Sequence, residues 1–189
     1  MLGLGGLRYA EALTSMQPLI RPPGGQDEEH LIAACIRCGK CMETCPRQVI
    51  VPAHLEDGIV AMRTPTLDFS SNYCDFCARD NGGSPLCVTS CPVLALSLPP
   101  EAKAEQTIIG KAEIVNDWCL AYRLTDCRFC FDACPYEAIE LDEMNRPAIL
   151  PHKCNGCGAC ESACVSFSNG SITSGATTRA VSIHPARAR

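Results

Sequence analysis

Apolar positions in this chain come in short groups, broken by cysteine clusters and by proline- or glycine-rich stretches. Residues 9–16 have the spacing for two helical turns, after which Arg21-Pro22-Pro23-Gly24-Gly25 forbids regular structure. Asp27 is placed to cap a short helix running to Cys35, with Glu28 and Glu29 favourable in its first turn. Residues 48–51 read as a strand stopped by Pro52. Residues 53–63 read as helical despite Gly58, and residues 64–69 as extended. Asn81-Gly82-Gly83-Ser84-Pro85 predicts an exposed loop across 78–86. Residues 94–98 and 108–115 read as strands flanking a polar loop or weak helix at 99–107. Residues 138–142 and 147–150 form a hairpin around 143–146, and a last strand lies near 180–183, after a turn at 168–171. One unit therefore recurs: cysteine run, short strand, returning strand, cysteine run.

The cysteines give these fragments a purpose. Cys35, Cys38, Cys41 and Cys45-Pro46 follow C-x2-C-x2-C-x3-C-P, the bacterial ferredoxin run. In that run three thiolates wrap one side of a [4Fe–4S] cube, and the fourth ligates another. Three variants follow. Cys74, Cys77, Cys87 and Cys91-Pro92 have nine residues between the second and third cysteines. Cys119, Cys127, Cys130 and Cys134-Pro135 have seven between the first and second. Cys154, Cys157, Cys160 and Cys164 keep the regular spacing but end in Val165. All 16 cysteines fall into these four groups, the number that four cubes require.

Composition agrees. Cysteine exceeds 8% of 189 residues, and aromatic residues make up only 5%, leaving few large side chains for a core. Inorganic clusters are expected to serve as that core, and the apo-chain to fold poorly. The net charge of −5 argues against nucleic-acid binding. No apolar run spans a bilayer. The apolar start, Met1 to Leu7, fits a floppy terminus or the end of an export signal. The tail carries Arg179, Arg187 and Arg189 with no acid after Glu161, and reads as a frayed end.

The first run with its upstream Arg21-Pro22-Pro23-Gly24 resembles the ferredoxin-type proteins of the MauM and NapG kind. So do Trp118-Cys119-Leu120 with the spacing Cys127, Cys130, Cys134-Pro135, and the run Cys154 to Cys164-Val165. The similarity covers about residues 21–165. The wide second run departs from that pattern, and no twin-arginine signal is present in the chain as given. The resemblance implies an α+β, ferredoxin-like fold of two fused two-cluster modules, with short helices and small antiparallel hairpins. It implies four [4Fe–4S] clusters, an electron-transfer function without a substrate site, and redox partner proteins: a membrane-bound quinol-oxidising donor and a downstream reductase or cytochrome. The location would be extracytoplasmic if an upstream twin-arginine signal exists, and cytoplasmic if the chain is complete as given.

The resemblance also implies nested ligand sharing, the first run with the fourth and the second with the third. Clusters would then sit on Cys35, Cys38, Cys41, Cys164; on Cys154, Cys157, Cys160, Cys45; on Cys74, Cys77, Cys87, Cys134; and on Cys119, Cys127, Cys130, Cys91. The modules would be 27–72 with 146–189, and 73–145, after a leader at 1–26. Spacing offers a rival: the 19 residues between Cys134 and Cys154 resemble the link inside a simple two-cluster ferredoxin, which pairs consecutive runs.

Other chemistries fit less well. Structural zinc favours separated C-x2-C knuckles, and a disulfide scaffold has no use for proline after three of four terminal cysteines. No dinucleotide fingerprint, phosphate loop or nucleophile elbow occurs. His30, His54, His152 and His184 are isolated, and sixteen thiolates need no imidazole. Gly39, Gly156 and Gly158 either let backbone N–H groups approach cluster sulfurs or permit a tight wrap. Arg37, Lys40 and Arg47 decorate the first run, either as plain surface charge or to steer an acidic partner. Trp118 shields a cluster or simply packs. The remaining alternatives are a tightly bound iron–sulfur subunit of a larger oxidoreductase, such as a molybdopterin enzyme, and a non-redox metal scaffold.

Overall fold

The computed structural model describes residues 18–123, 125–167 and 176–186. The expected helix at 9–16 and turn at 168–171 lie outside these residues. Short helices and two-stranded antiparallel sheets make up the fold, tied together by loops that carry the cysteines. Among the described residues no helix is long and apolar enough to cross a membrane.

Helix α1 (Glu28–Ala34) begins as the sequence dictates. Asp27 Oδ1 accepts from the His30 amide at 3.0 Å, Glu28 and Glu29 fill the first turn, and Leu31 is fully buried beneath it. Just upstream, Arg21 is only 3% exposed. Its guanidinium pairs with Glu28 and donates to Thr64 Oγ1 (3.0 Å) and the Pro65 carbonyl (2.7 Å), so the Pro-Pro segment is fixed against the next strands. Helix α2 (Lys40–Glu43) follows the first three cysteines, and β1 (Ile50–Pro52) pairs with β2 (Pro65–Leu67), matching Ile50 to Leu67. Between them the expected helix at 53–63 is absent. Only a 3-10 turn, Leu55–Asp57, forms; Gly58 leaves helical space at φ 110, and turns follow.

The excursion in the second run holds α3 (Ala78–Asn81) and ends at α4 (Leu86–Thr89), which packs on α2. The strand expected at 94–98 does not form. Leu94 takes φ 54, and the Ser97 amide instead donates to the Gly24 carbonyl at 3.1 Å. Strand β3 (Gly110–Ile114) pairs with the distant β6 (Val181–Pro185), Gly110 opposite Pro185. Between them lie α5 (Phe129–Ala133), the hairpin of β4 (Ile139–Leu141) and β5 (Pro147–Ile149), and α6 (Ala159–Ala163). The Asp142 carboxylate turns that hairpin by accepting from the Met144 (2.8 Å) and Arg146 (2.9 Å) amides.

The two halves of the chain meet along one seam. The Cys74 amide donates to the Cys157 carbonyl at 2.9 Å, the Ile109 amide to Asn155 O at 2.9 Å, and Asn155 Nδ2 to the Ala104 carbonyl at 2.9 Å. Arg179 Nη1 donates to the Phe69 carbonyl at 2.9 Å. Buried Phe69 and Phe76 are the largest side chains of a core in which cysteines fill much of the remaining space.

Candidate metal centres

All sixteen cysteines are free thiols, and the fold gathers them in fours. Cys35, Cys38 and Cys41 share a cavity with Cys91. Cys74, Cys77 and Cys87 share one with Cys45. Cys154, Cys157 and Cys160 share one with Cys134. Cys119, Cys127 and Cys130 gather with Cys164, and these four act on one another electrostatically. Each quartet thus takes three cysteines from one run and the last cysteine of its neighbour.

This exchange corrects the nested expectation. Cys91, not Cys164, faces the first three cysteines, and Cys45 faces the second run rather than the fourth. Runs one and two interlock through α2 against α4, and runs three and four through α5 against α6. The reason is local geometry. Each short helix carries the third cysteine of its run and delivers the last one just beyond, so two such turns placed side by side trade terminal cysteines. The 19-residue hairpin link was the sequence signal for this arrangement. The nested module boundaries, 27–72 with 146–189 and 73–145, cut across both interlocked pairs.

The quartets have their own surroundings. Amides of Arg37 (3.4 Å), Leu86 (3.4 Å) and Ala138 (3.3 Å) donate to the sulfurs of Cys35, Cys77 and Cys134, and Ser166 Oγ lies 3.2 Å from Cys164 Sγ. Burial pushes the thiols up: Cys41 to about 11, and Cys74, Cys130 and Cys157 to about 12, with neighbouring thiols adding to the effect. Cys87 and Cys160 are raised well above the ordinary thiol range for the same two reasons. Crowded thiols in an apolar wall resist ionising alone, so these sites suit a polynuclear cationic core that accepts four thiolates. Three of the quartets each wall a cavity, with cysteine as the recurring donor. The thiol set therefore fits iron–sulfur cubes better than mononuclear zinc.

The remaining candidates take ordinary places. His30 Nε2 meets the Leu94 carbonyl (3.1 Å), and His184 Nε2 meets Ser182 Oγ (3.0 Å). Arg47 pairs with Asp75 (2.8 Å) and Asp80 (3.0 Å). Trp118 packs beside Cys119, Ala121 and Ala180. A contact that the sequence did not flag is Glu161, whose half-buried carboxylate accepts from the Ile183 amide at 2.6 Å and ties α6 to β6. Burial raises its pKa.

Comparison with known proteins agrees with this donor set. A family profile described as "4Fe-4S dicluster domain" matches residues 34–95 and 125–168. The chain is 33% identical to the ferredoxin-type protein NapF of Escherichia coli K12 over 149 residues, 77% of this chain and 79% of the relative. It is 32% identical to the methylamine utilization ferredoxin-type protein MauM of Methylobacillus flagellatus over 175 residues, 85% and 72% of the two chains. It is also 32% identical to the ferredoxin-type protein NapG of E. coli K12 over 159 residues, 77% and 66%.

Proposed function

The chain belongs to the ferredoxin-type proteins built on the 4Fe-4S dicluster domain, and on that premise we propose that it carries four [4Fe–4S] clusters in two fused dicluster modules and relays single electrons between redox proteins. The observation that carries this reading is the sorting of sixteen thiols into four quartets with none left over. The family match supports the same division: one segment spans the first two runs, and the other holds the last seven of the eight cysteines in runs three and four. When bound, the clusters supply one-electron chemistry at potentials set by hydrogen bonds, burial and charge.

The polypeptide's part is to line up the sites. Cys41 and Cys87 interact electrostatically between the first and second quartets. The Cys74–Cys157 backbone bond joins the second and third, and Cys130 and Cys160 lie close between the third and fourth. Neighbouring sites thus connect the Cys38 quartet, by way of the Cys45 and Cys134 quartets, to the Cys119 quartet. The amides at Cys35, Cys77 and Cys134 stabilise thiolate charge and favour the reduced state of their sites. A quinol-linked membrane protein as donor and a reductase or cytochrome as acceptor are the partners the family resemblance suggests.

Iron analysis of paired cysteine variants tests both the count and the sharing. Wild-type protein purified without oxygen should carry about sixteen irons and sixteen sulfides. The Cys38→Ala/Cys91→Ala protein should lose one cluster and keep about twelve irons, whereas Cys38→Ala/Cys164→Ala should lose two and keep about eight. The reverse pattern would restore nested sharing. About eight irons in the wild type would reduce the protein to a two-cluster carrier.

A further inference from the structure

Cys38 alone of the sixteen cysteines is solvent-exposed. The cavity that it shares with Cys35, Cys41 and Cys91 has three charged residues in its wall, Arg37, Lys40 and Arg63, all of them cationic. All three side chains are exposed, and none has an ion-pair partner among the described residues. Arg37 donates to the carbonyls of Met62 and Val60, each at 3.0 Å, which fixes its direction without neutralising its charge.

These cations are not explained by thiolate charge alone. In the Cys45 cavity the one cation, Arg47, is matched by Asp75 and Asp80, and the Cys134 cavity has no charged residue in its wall. Apolar surface flanks the same opening: Ile36 is 60% exposed and Leu94 66%, with Val93 beside it. Leu94 holds a left-handed φ of 54, and its carbonyl is engaged by His30. A chain of net charge −5 has thus collected unpaired positive charge and apolar surface around its one exposed thiol.

We propose that this face is the docking port for a one-electron redox protein whose own centre is ringed by carboxylates. The inference deepens the relay reading and rests on it for one point only, that the Cys38 quartet holds a cluster. One electron crosses the interface per encounter; one partner is oxidised by one unit and the other reduced by one, and no bond forms and no proton moves. Complementary charge steers the encounter, and the apolar surface excludes water once the faces meet.

The test uses the dithionite-reduced holoprotein, freed of dithionite, and two oxidised haem proteins: an acidic b-type cytochrome with a carboxylate-ringed haem edge, and a lysine-ringed cytochrome c. Stopped-flow rates should fall with rising salt for the acidic cytochrome. Lys40→Glu/Arg63→Glu should slow that reaction about tenfold and leave cytochrome c equal or faster. Arg128→Gln, beside the opposite quartet, should change it less than about twofold. Carbodiimide coupling of the wild-type pair should join Lys40 to the acidic cytochrome, read by mass spectrometry; this map and the wild-type salt dependence stand even if a variant loses iron.

Rates insensitive to salt and to the double substitution would overturn the proposal, as would cross-links at Lys103 or Lys153 with none at Lys40. So would binding to phosphatidylserine vesicles that the double substitution abolishes while the cytochrome rate stays unchanged. A low iron count in the wild type would instead count against the four-cluster reading.

Discussion

Gly39 and Gly158 occupy the same place in two cysteine runs, yet the fold uses them differently. Each precedes a short helix and sits at positive φ, 79° for Gly39 and 85° for Gly158. A Cβ built on Gly39 meets nothing within 4 Å, whereas one on Gly158 would lie 2.2 Å from the ring of Phe69. That ring is only 2% exposed, and the Phe69 carbonyl is held by Arg179, so it has little freedom to retreat. Gly39→Ala should therefore cost only the left-handed backbone penalty, about 1–2 kcal/mol. Gly158→Ala should add overpacking of roughly 1–3 kcal/mol, for a total of about 2–5 kcal/mol.

Unfolding of a cluster protein is governed by a rate, so the assay is bleaching of the visible absorbance at fixed guanidinium without oxygen. A difference of about 1.4 kcal/mol acting on the unfolding step corresponds to about tenfold. The Gly158→Ala protein should bleach roughly five- to 150-fold faster than Gly39→Ala, the rate ratio for the 1–3 kcal/mol of added overpacking. Adding Phe69→Leu should recover part of the loss, because the two sites share one contact. Equal bleaching of the two glycine variants, with no recovery, would refute the packing argument. It would mean that both glycines serve the approach of backbone amides to the clusters.

Further outcomes follow from the buried groups. Arg21→Ala should destabilise the holoprotein by about 3 kcal/mol in anaerobic denaturation, because it strips partners from Glu28, Thr64 and Pro65 at a buried site; a loss below about 1 kcal/mol would refute that accounting. The raised thiols at Cys41, Cys74, Cys130 and Cys157 give the apo-chain a defined pH response. With folded values of about 11 to 12 against an ordinary 9.0, the apo-fold keeps this contribution below about pH 9 and loses it as pH rises towards 12. Below pH 9 these four thiols, one in each site, are protonated, so loading should release at least one proton per site and strengthen with rising pH. A pH-stat during anaerobic reconstitution reads this directly, and release well under that number would show thiolates already present in the apo-fold.

The parts of the fold that were legible in the sequence are those governed by local chemistry. Asp27 as a cap, the hairpin around residues 143–146 and the grouping of cysteines each depend on a few neighbouring residues. Gly58 breaks the expected helix at 53–63 locally, and the other failures occur where a distant partner decides. Residues 94–98 have strand composition, but the Ser97 amide goes to Gly24, more than seventy positions upstream, and β3 finds β6 rather than its neighbour. Ligand sharing belongs to the same class, since nothing in the spacing of one run says which other run will lie against it. What decides it is the pairing of short helices. A four-residue helix such as α2 cannot stand alone, and it packs on β1 and on the helix that brings Cys91 within reach. The same contact that stabilises the turn therefore selects the fourth ligand. Consecutive runs have the shorter loops to close, which lowers the entropy cost of that choice. The arrangement leaves Cys38 of the first quartet exposed beside cations that are unpaired among the described residues, and places the Cys45 and Cys134 quartets at the seam between the two halves.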